Sequence, residues 1–573
     1  MPDPVLPTLA VRTVPAYEAL AADIKALGVE CDFGLMSDDT ALLVTAIDSM
    51  GVRFHGARHE NNAIAMAEGY AASTGRLAIV IVGRGPATAN GLHGATYAQR
   101  TGSPVLLIVG DAPRTPPAPN GLGPDTKRFD AQTVLHGAGI RTFVANEPAT
   151  ARATLMQAAA AARHGAVALL LPADVQTGRI DLQATAPKPI DAGSTKAGGA
   201  PVAPRRAAIQ AAAAALQICR RPLIVAGIGA YRAGARDALV RLADHLGAAL
   251  STTMKAKDMF RGHPFDCGVV GSFSHAGGRR LIDQADGILV FGAGLNQRTT
   301  SYGLSLPADV PLIQVDADRS HIGRWFHCDI AVVGDARLAA EHLLEAIPPR
   351  ADADKPLRSE ALRRWLADFD LASDFEPRHT PRTMDARSVG LELDRLLPAD
   401  RNLVYDAGNF LAAAPYLSVP DPSRLKQASD FSSIGMGFGV ALGYARGTPE
   451  RTTVLILGDG SFLMTMGELE TVVREDIPLV IVLMNDCAYG AELHFLKVRN
   501  MPTSLSQFPD IDYAPIAQAF GFQAATVRTL DELRALAPLL AKPEGPIFLD
   551  CKINAAVAAP FLAEGLAHER RKG

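Results

Sequence analysis

No run of about 18 uninterrupted apolar residues occurs in the 573-residue chain, so no segment reads as a membrane-spanning helix. The N-terminus has no basic stretch followed by an apolar run, so export is not expected. Cysteine is scarce and scattered. Cys31, Cys219, Cys267, Cys328, Cys487 and Cys551 show no CxxC or other metal-ligand spacing, which excludes a zinc framework and suits small, reduced, packed thiols in the cytoplasm. Neither sign of charge is in excess: 56 Lys and Arg stand against 60 Asp and Glu, a formal net charge of −4. Without a basic footprint, nucleic acid is not an expected partner.

What is present is a composition that buries large cores. Apolar residues make up 48% and charged residues 20%, a balance unlike that of disordered chains. The length calls for two to four domains, and three are read here. Residues 1–185 alternate helical and strand patterns, with helices over Ala16–Leu27, Thr40–Met50 and Asn61–Thr74. Unbroken apolar runs at Leu77–Val82 and Val105–Val109 have the character of parallel strands covered on both faces. A Pro-, Gly- and Lys-rich linker lies between Ala184 and Arg206. The α/β rhythm returns over 205–345, with strands at Leu223–Ala226, Ile288–Phe291 and Leu312–Val315. There Gly227-Ile228-Gly229-Ala230 suggests a nucleotide turn without completing GxGxxG. A second linker, Pro348–Pro356, leads to the last domain, 380–573, which opens on the strand Asn402–Tyr405.

The densest motif lies in that domain. Leu455–Leu457 is a buried strand, Gly458-Asp459-Gly460-Ser461 a tight turn, Met466–Thr471 part of an amphipathic helix, and Ile477–Met484 a second buried strand ending in Asn485-Asp486. The glycines let the backbone turn sharply and approach a ligand, and the helix start offers free N–H groups to an anion such as a diphosphate. Asp459 and Asp486, 27 residues apart, leave neighbouring parallel strands at the same end and so can share one hard cation. In the first domain Glu60 stands between a short strand and an apolar helix. On the residues alone it reads equally as a solvated helix start.

The 458–486 segment resembles the diphosphate-binding motif of thiamine diphosphate (ThDP) enzymes, and the chain is most similar to the acetolactate synthase, benzoylformate decarboxylase and pyruvate oxidase group. His59-Glu60, Ala63, Ala67, Gly69-Tyr70-Ala71 and Gly75 resemble the family's catalytic-glutamate segment. The resemblance implies an α/β protein of three doubly wound parallel-sheet domains, with the ThDP-binding fold in the pyrimidine-binding first domain and the diphosphate-binding last domain. It implies ThDP with Mg2+ or Ca2+ as cofactors. The central domain binds FAD in some members and nothing in others, so FAD stays open.

Residue by residue, the resemblance assigns Asp459, Asp486 and the Ala488 carbonyl to the metal, although the family usually has Asn where this chain has Asp486. It assigns Gly408, Asn409, Ser432, Ile434, Met436, Gly458, Gly460, Ser461 and Tyr489 to the cofactor, Ile434 as the apolar prop that bends it. Glu60 would hydrogen-bond the aminopyrimidine ring. Asp38 and Glu492 have spacings similar to the Asp and Glu that handle protons in 2-oxo acid decarboxylases, though the paired histidines of those enzymes are not evident. If the two were crowded beside a dry cofactor, their pKa values would be pushed apart.

The implied activity is decarboxylation of a 2-oxo acid with carboligation to an aldehyde or ketone acceptor, as in acetolactate synthase. The alternatives are a simple decarboxylase, a C–C lyase or hydrolase, and a ThDP-fold protein that binds without catalysis. A homodimer is the minimum assembly and a homotetramer is common among relatives, because the family's cofactor lies between the first domain of one chain and the last of another.

Overall fold

Short apolar runs rich in Val, Ile and Leu form three separate six-stranded parallel sheets. The computed structural model describes residues 13–115, 125–185, 201–351 and 354–572. In the first sheet the strands stand in the spatial order Arg53–Gly56, Cys31–Gly34, Ala78–Val82, Val105–Asp111, Val167–Pro172 and Arg141–Val144. In the last they run Leu425–Gln427, Arg401–Tyr405, Thr452–Gly458, Leu479–Asn485, Ile547–Lys552 and Gln523–Val527. Numbered along the chain, both orders are 2-1-3-4-6-5, so the outer sheets share one topology. The middle sheet runs Asp266–Val269, Ala249–Thr252, Pro222–Ala226, Gly287–Phe291, Leu312–Asp316 and Ile330–Val333. Its order, 3-2-1-4-5-6, is that of a dinucleotide-binding sheet. A two-stranded antiparallel ribbon, Thr13–Pro15 with Arg179–Asp181, ties the two ends of the first domain together.

The elements expected from the sequence are found with small shifts at their ends, among them helices Ala16–Ala26, Ala41–Ser49 and Glu60–Thr74. One differs in kind. The helix expected after the Gly-Asp-Gly turn is two short helices, Asp459–Thr465 and Glu468–Arg474, broken at Met466-Gly467, where glycine weakens the helix interior. Much of the expected first linker, 186–200, and residues 352–353 of the second lie outside the described residues.

The outer domains are locked together by a crossing of helix Glu60–Thr74 over helix Gly437–Gly447. Glycines permit the contact because their missing side chains let the two backbones touch. A Cβ on Gly443 would lie 2.0 Å from the Met66 carbonyl oxygen, one on Gly439 2.7 Å from that of Asn62, and one on Gly69 2.2 Å from that of Val440. Around the crossing a single apolar core takes Phe33, Val80 and Leu107 from the first domain and Phe438, Leu455 and Ile481 from the last. Polar groups pin its rim. Glu475 of the last domain accepts from Arg53 (3.1 Å) and Arg446 (3.0 Å) and pairs with His55 (2.8 Å). Burial alone would raise the Glu475 pKa, but His55, Arg474 and Arg446 pull it down to about 2.

Because each glycine faces backbone, enlarging one forces the helices apart. Gly443→Val is expected to cost about 1–3 kcal/mol through overpacking and to lower the first thermal unfolding transition. Gly545→Ala, at a site with nothing within 4 Å of the new Cβ, should change stability by less than about 0.5 kcal/mol. Differential scanning calorimetry of the two variants checks this.

Candidate active site

The carboxyl ends of the parallel strands in the last domain open onto a cavity of about 930 Å3. Strands Thr452–Gly458 and Leu479–Asn485 are paired up to Gly458 opposite Met484, so Asp459 and Asp486 emerge beside each other. Asp459 is 1% exposed, and its Oδ1 accepts no hydrogen bond. Burial raises its pKa to about 6. Burial and then the Asp459 charge push that of Asp486 well above the usual carboxylate range. Two carboxylates cannot both ionise at such a site without a counter-charge. An unpartnered buried oxygen next to a second carboxylate is the donor set of a hard divalent cation.

The turns around the pair are built to stay close. A Cβ on Gly490 would sit 2.3 Å from Asp486 Oδ2, and one on Gly460 2.6 Å from the Tyr489 ring. Cys487 adopts a left-handed backbone (φ 54°), its carbonyl accepts from Phe508 N–H (2.6 Å), and Tyr489 N–H donates to the Ser506 carbonyl (2.9 Å). Asn485 fastens the loop from behind by donating to Asp550 (2.9 Å). Asp406, fully buried at the end of strand Arg401–Tyr405, accepts from the Gly435 N–H (2.7 Å) and from the Ser461 hydroxyl. It thereby ties the Ile434 loop to the Gly-Asp-Gly turn. The sequence reading did not single it out as a site residue.

Most of the expected cofactor residues are brought to this one cavity. Gly408, Asn409, Ser432 and Ile434 line it on one side, and Gly458, Asp459, Gly460 and Ser461 on another. Asp486, Ala488, Tyr489 and Glu492 complete the ligand-facing wall, Glu492 from the first turn of helix Gly490–Val498. Met436 does not line the cavity: its side chain, 0% exposed, lies in the apolar core because it starts the helix that crosses to the first domain.

Asp38 is also elsewhere. Its side chain is 79% exposed and ion-paired with Lys127, which holds its carboxyl below the usual range. The expected crowding of Asp38 against Glu492 does not form within the chain. Glu60 is buried at the start of its helix, where it accepts from Asn90 Nδ2 at 3.2 Å, and does not line the chain's own cavity.

Three parts of the wall escaped the sequence reading. His93, among the described residues the one from the first domain that lines the cavity, sits 2.6 Å from the Ser433 hydroxyl through Nε2, and burial lowers its pKa. The C-terminal helix Pro560–Lys572 covers one side with Phe561, Leu562 and Leu566. Arg298 enters from the central domain, on the Gly292–Thr300 loop. Burial lowers its pKa, its guanidinium carbon lies 4.6 Å from the centre of the Phe561 ring, and among the described residues no carboxylate pairs with it. In the middle sheet, Gly227 and Gly229 serve packing. Their N–H groups donate to the carbonyls of Phe291 (2.8 Å) and Gly292 (3.0 Å), and a Cβ on Gly227 would lie 2.2 Å from the Gly292 oxygen.

With that geometry in view, comparison with known proteins defines the class. Residues 15–129, 209–343 and 406–551 match the N-terminal TPP-binding, central and C-terminal TPP-binding domains of thiamine pyrophosphate enzymes. The chain belongs to the thiamine pyrophosphate enzyme family. It is 26% identical to a "Probable acetolactate synthase large subunit" of Methanocaldococcus jannaschii, over 96% of this chain and 93% of that protein. It is 27% identical to a sulfoacetaldehyde acetyltransferase of Castellaniella defragrans, over 93% and 91%. A "Probable 2-ketoarginine decarboxylase" of Pseudomonas aeruginosa is 27% identical over 92% of each chain. A crystal structure of a candidate thiamin diphosphate-dependent enzyme from Mycobacterium smegmatis shares the fold, with a TM-score of 0.74, 23% identity, and coverage of 95% of this chain and 100% of that one. The chain is therefore a ThDP-dependent enzyme acting on C–C bonds.

If the Asp459–Asp486 pair carries the cation that grips the diphosphate, Asp459→Ala should lose metal and cofactor together. Calorimetric titration of ThDP with Mg2+ is expected to show at least a hundredfold weaker binding, on the order of the cost of breaking a charged contact in a buried site. Unchanged ThDP affinity would place the site elsewhere.

Proposed function

We propose that the enzyme decarboxylates a 2-oxo acid and joins the retained carbon unit to a second carbonyl compound, as an acetolactate-synthase-like ligase. Asp459, Asp486 and the Ala488 carbonyl would hold Mg2+ or Ca2+ against the cofactor diphosphate, and Ile434 would support the bend of the cofactor. When bound, ThDP supplies an electron sink for the carbanion left by loss of CO2. Glu60 lies away from its own chain's cavity, so it acts in the cavity of a second copy. The proposed assembly is a homodimer or homotetramer, and the six unpaired thiols suit the cytoplasm.

The observation that carries the 2-oxo acid reading is Arg298. A half-buried guanidinium without a carboxylate is costly unless a ligand supplies one. Here it faces the cavity that also holds Glu492 and the metal-binding carboxylates. A fork of N–H donors matches the carboxylate of a 2-oxo acid bidentately, while Phe561, Leu562 and Leu566 exclude water around it. A simple decarboxylase is the second reading. It is favoured by Glu492, an acid on the cavity wall able to return a proton to the product.

The deciding experiment is a panel of 2-oxo acids with and without aldehyde and ketone acceptors, resolved by mass spectrometry. The ligase reading requires coupled products, and aldehyde alone from every mixture would overturn it. Arg298→Met is expected to raise KM for acid substrates about tenfold to a hundredfold, the range of a charged hydrogen bond, with ThDP affinity unchanged.

Two further variants separate the acid groups. Glu60→Gln should lower kcat about a hundredfold or more while ThDP still binds, because an amide cannot exchange a proton. Glu492→Gln should slow aldehyde release more than CO2 release and raise the share of coupled product. Equal losses in both would remove Glu492 from the chemistry.

A further inference from the structure

The ligand at position 486 is Asp where the motif usually carries Asn, so a neutral amide oxygen is replaced by a charged one. It stands beside Asp459, whose buried Oδ1 has no hydrogen-bond partner. Among the described residues, no Lys, Arg or His forms an ion pair with either carboxylate; Arg528 and Lys552 are engaged with Asp510, Asp512 and Asp550. The pair is also held in place. Gly490 leaves no room beside Asp486, and the loop from Cys487 to Tyr489 is fastened by backbone hydrogen bonds to Phe508 and Ser506.

We propose that this carboxylate pair takes up a divalent cation by itself, before the diphosphate arrives and without needing it. The inference rests on the metal assignment made above. With one carboxylate and one amide, a hard cation has too little protein charge to leave water until a diphosphate adds its own. Two carboxylates and a backbone carbonyl offer three oxygens on a rigid frame, the cation is the counter-charge that lets both carboxylates ionise, and affinity for hard cations rises with the charge and rigidity of the ligands.

The test uses the full-length protein freed of ThDP and metal, with Mn2+ as the probe and free Mn2+ read from its electron paramagnetic resonance signal. Wild type is expected to bind one Mn2+ per chain in the absence of ThDP. Asp486→Asn, which keeps the shape of the side chain, should bind it about tenfold or more weakly without ThDP and recover most of that loss with ThDP present. Mn2+ binding by wild type only when ThDP is present, or equal affinity in the two proteins without ThDP, would overturn the proposal. Absence of Mn2+ binding by wild type even with ThDP would overturn the metal assignment as well, so the two failures are told apart.

Discussion

Backbone contact between helices Glu60–Thr74 and Gly437–Gly447 is the constraint from which the arrangement of the site follows. Helices with ordinary side chains stay about 8–10 Å apart, whereas glycines at 439 and 443 let these two come close enough for carbonyl oxygens to lie where a Cβ would otherwise stand. The first and last domains therefore share one core and one orientation. Glu60 begins one of the crossing helices. It is fixed by the crossing and by Glu468, which accepts from the Arg58 N–H and from Asn62, both at 2.9 Å. The same lock that buries Glu60 keeps it off the wall of its own chain's cavity.

The cavity carries a second kind of constraint, which is charge. Asp459, Asp486 and Asp406 all lie at the carboxyl ends of parallel strands in the last domain, yet they meet different surroundings. Asp406 is satisfied by the Gly435 N–H, the Ser461 hydroxyl and the Ala407 N–H, and it acts as a fastener. Asp459 keeps an unpartnered oxygen and a carboxylate neighbour, so it is left for a ligand. Burial is common to both; hydrogen bonding decides which carboxylate is spent on holding the loops and which keeps an oxygen without a partner.

How much of this was legible in the sequence depends on how far apart in the chain the partners lie. The Gly-Asp-Gly turn, its flanking strands and Asp486 form one local βαβ unit, where apolar runs and glycine chemistry speak directly, and the structure brings them to one cavity as expected. Met436 has suitable spacing but faces the core, because its helix crosses to another domain, where Gly443 meets Met66 from a distant part of the chain. Asp38 likewise depends on Lys127, which comes from another loop and draws it to the surface. His93, Arg298 and the C-terminal helix carry no local signature that announces a common wall. The helix crossing was readable in part, since glycine at every fourth position of Gly439–Gly447 signals close packing of a helix face.

The division between legible and illegible parts follows the division of chemical labour. Cofactor binding requires a fixed set of backbone donors and carboxylates, and short-range motif geometry can supply it. The rest of the cavity wall comes from other units: Arg298 from the central domain, His93 from the first, and Phe561, Leu562 and Leu566 from the last helix. Each contributes through position rather than through a motif, and each can change without disturbing the carboxylate pair or the glycine turns. In the proposed function the half-buried charge of Arg298 acts as a selector, because a partly desolvated cation favours anionic substrates over neutral ones of the same size.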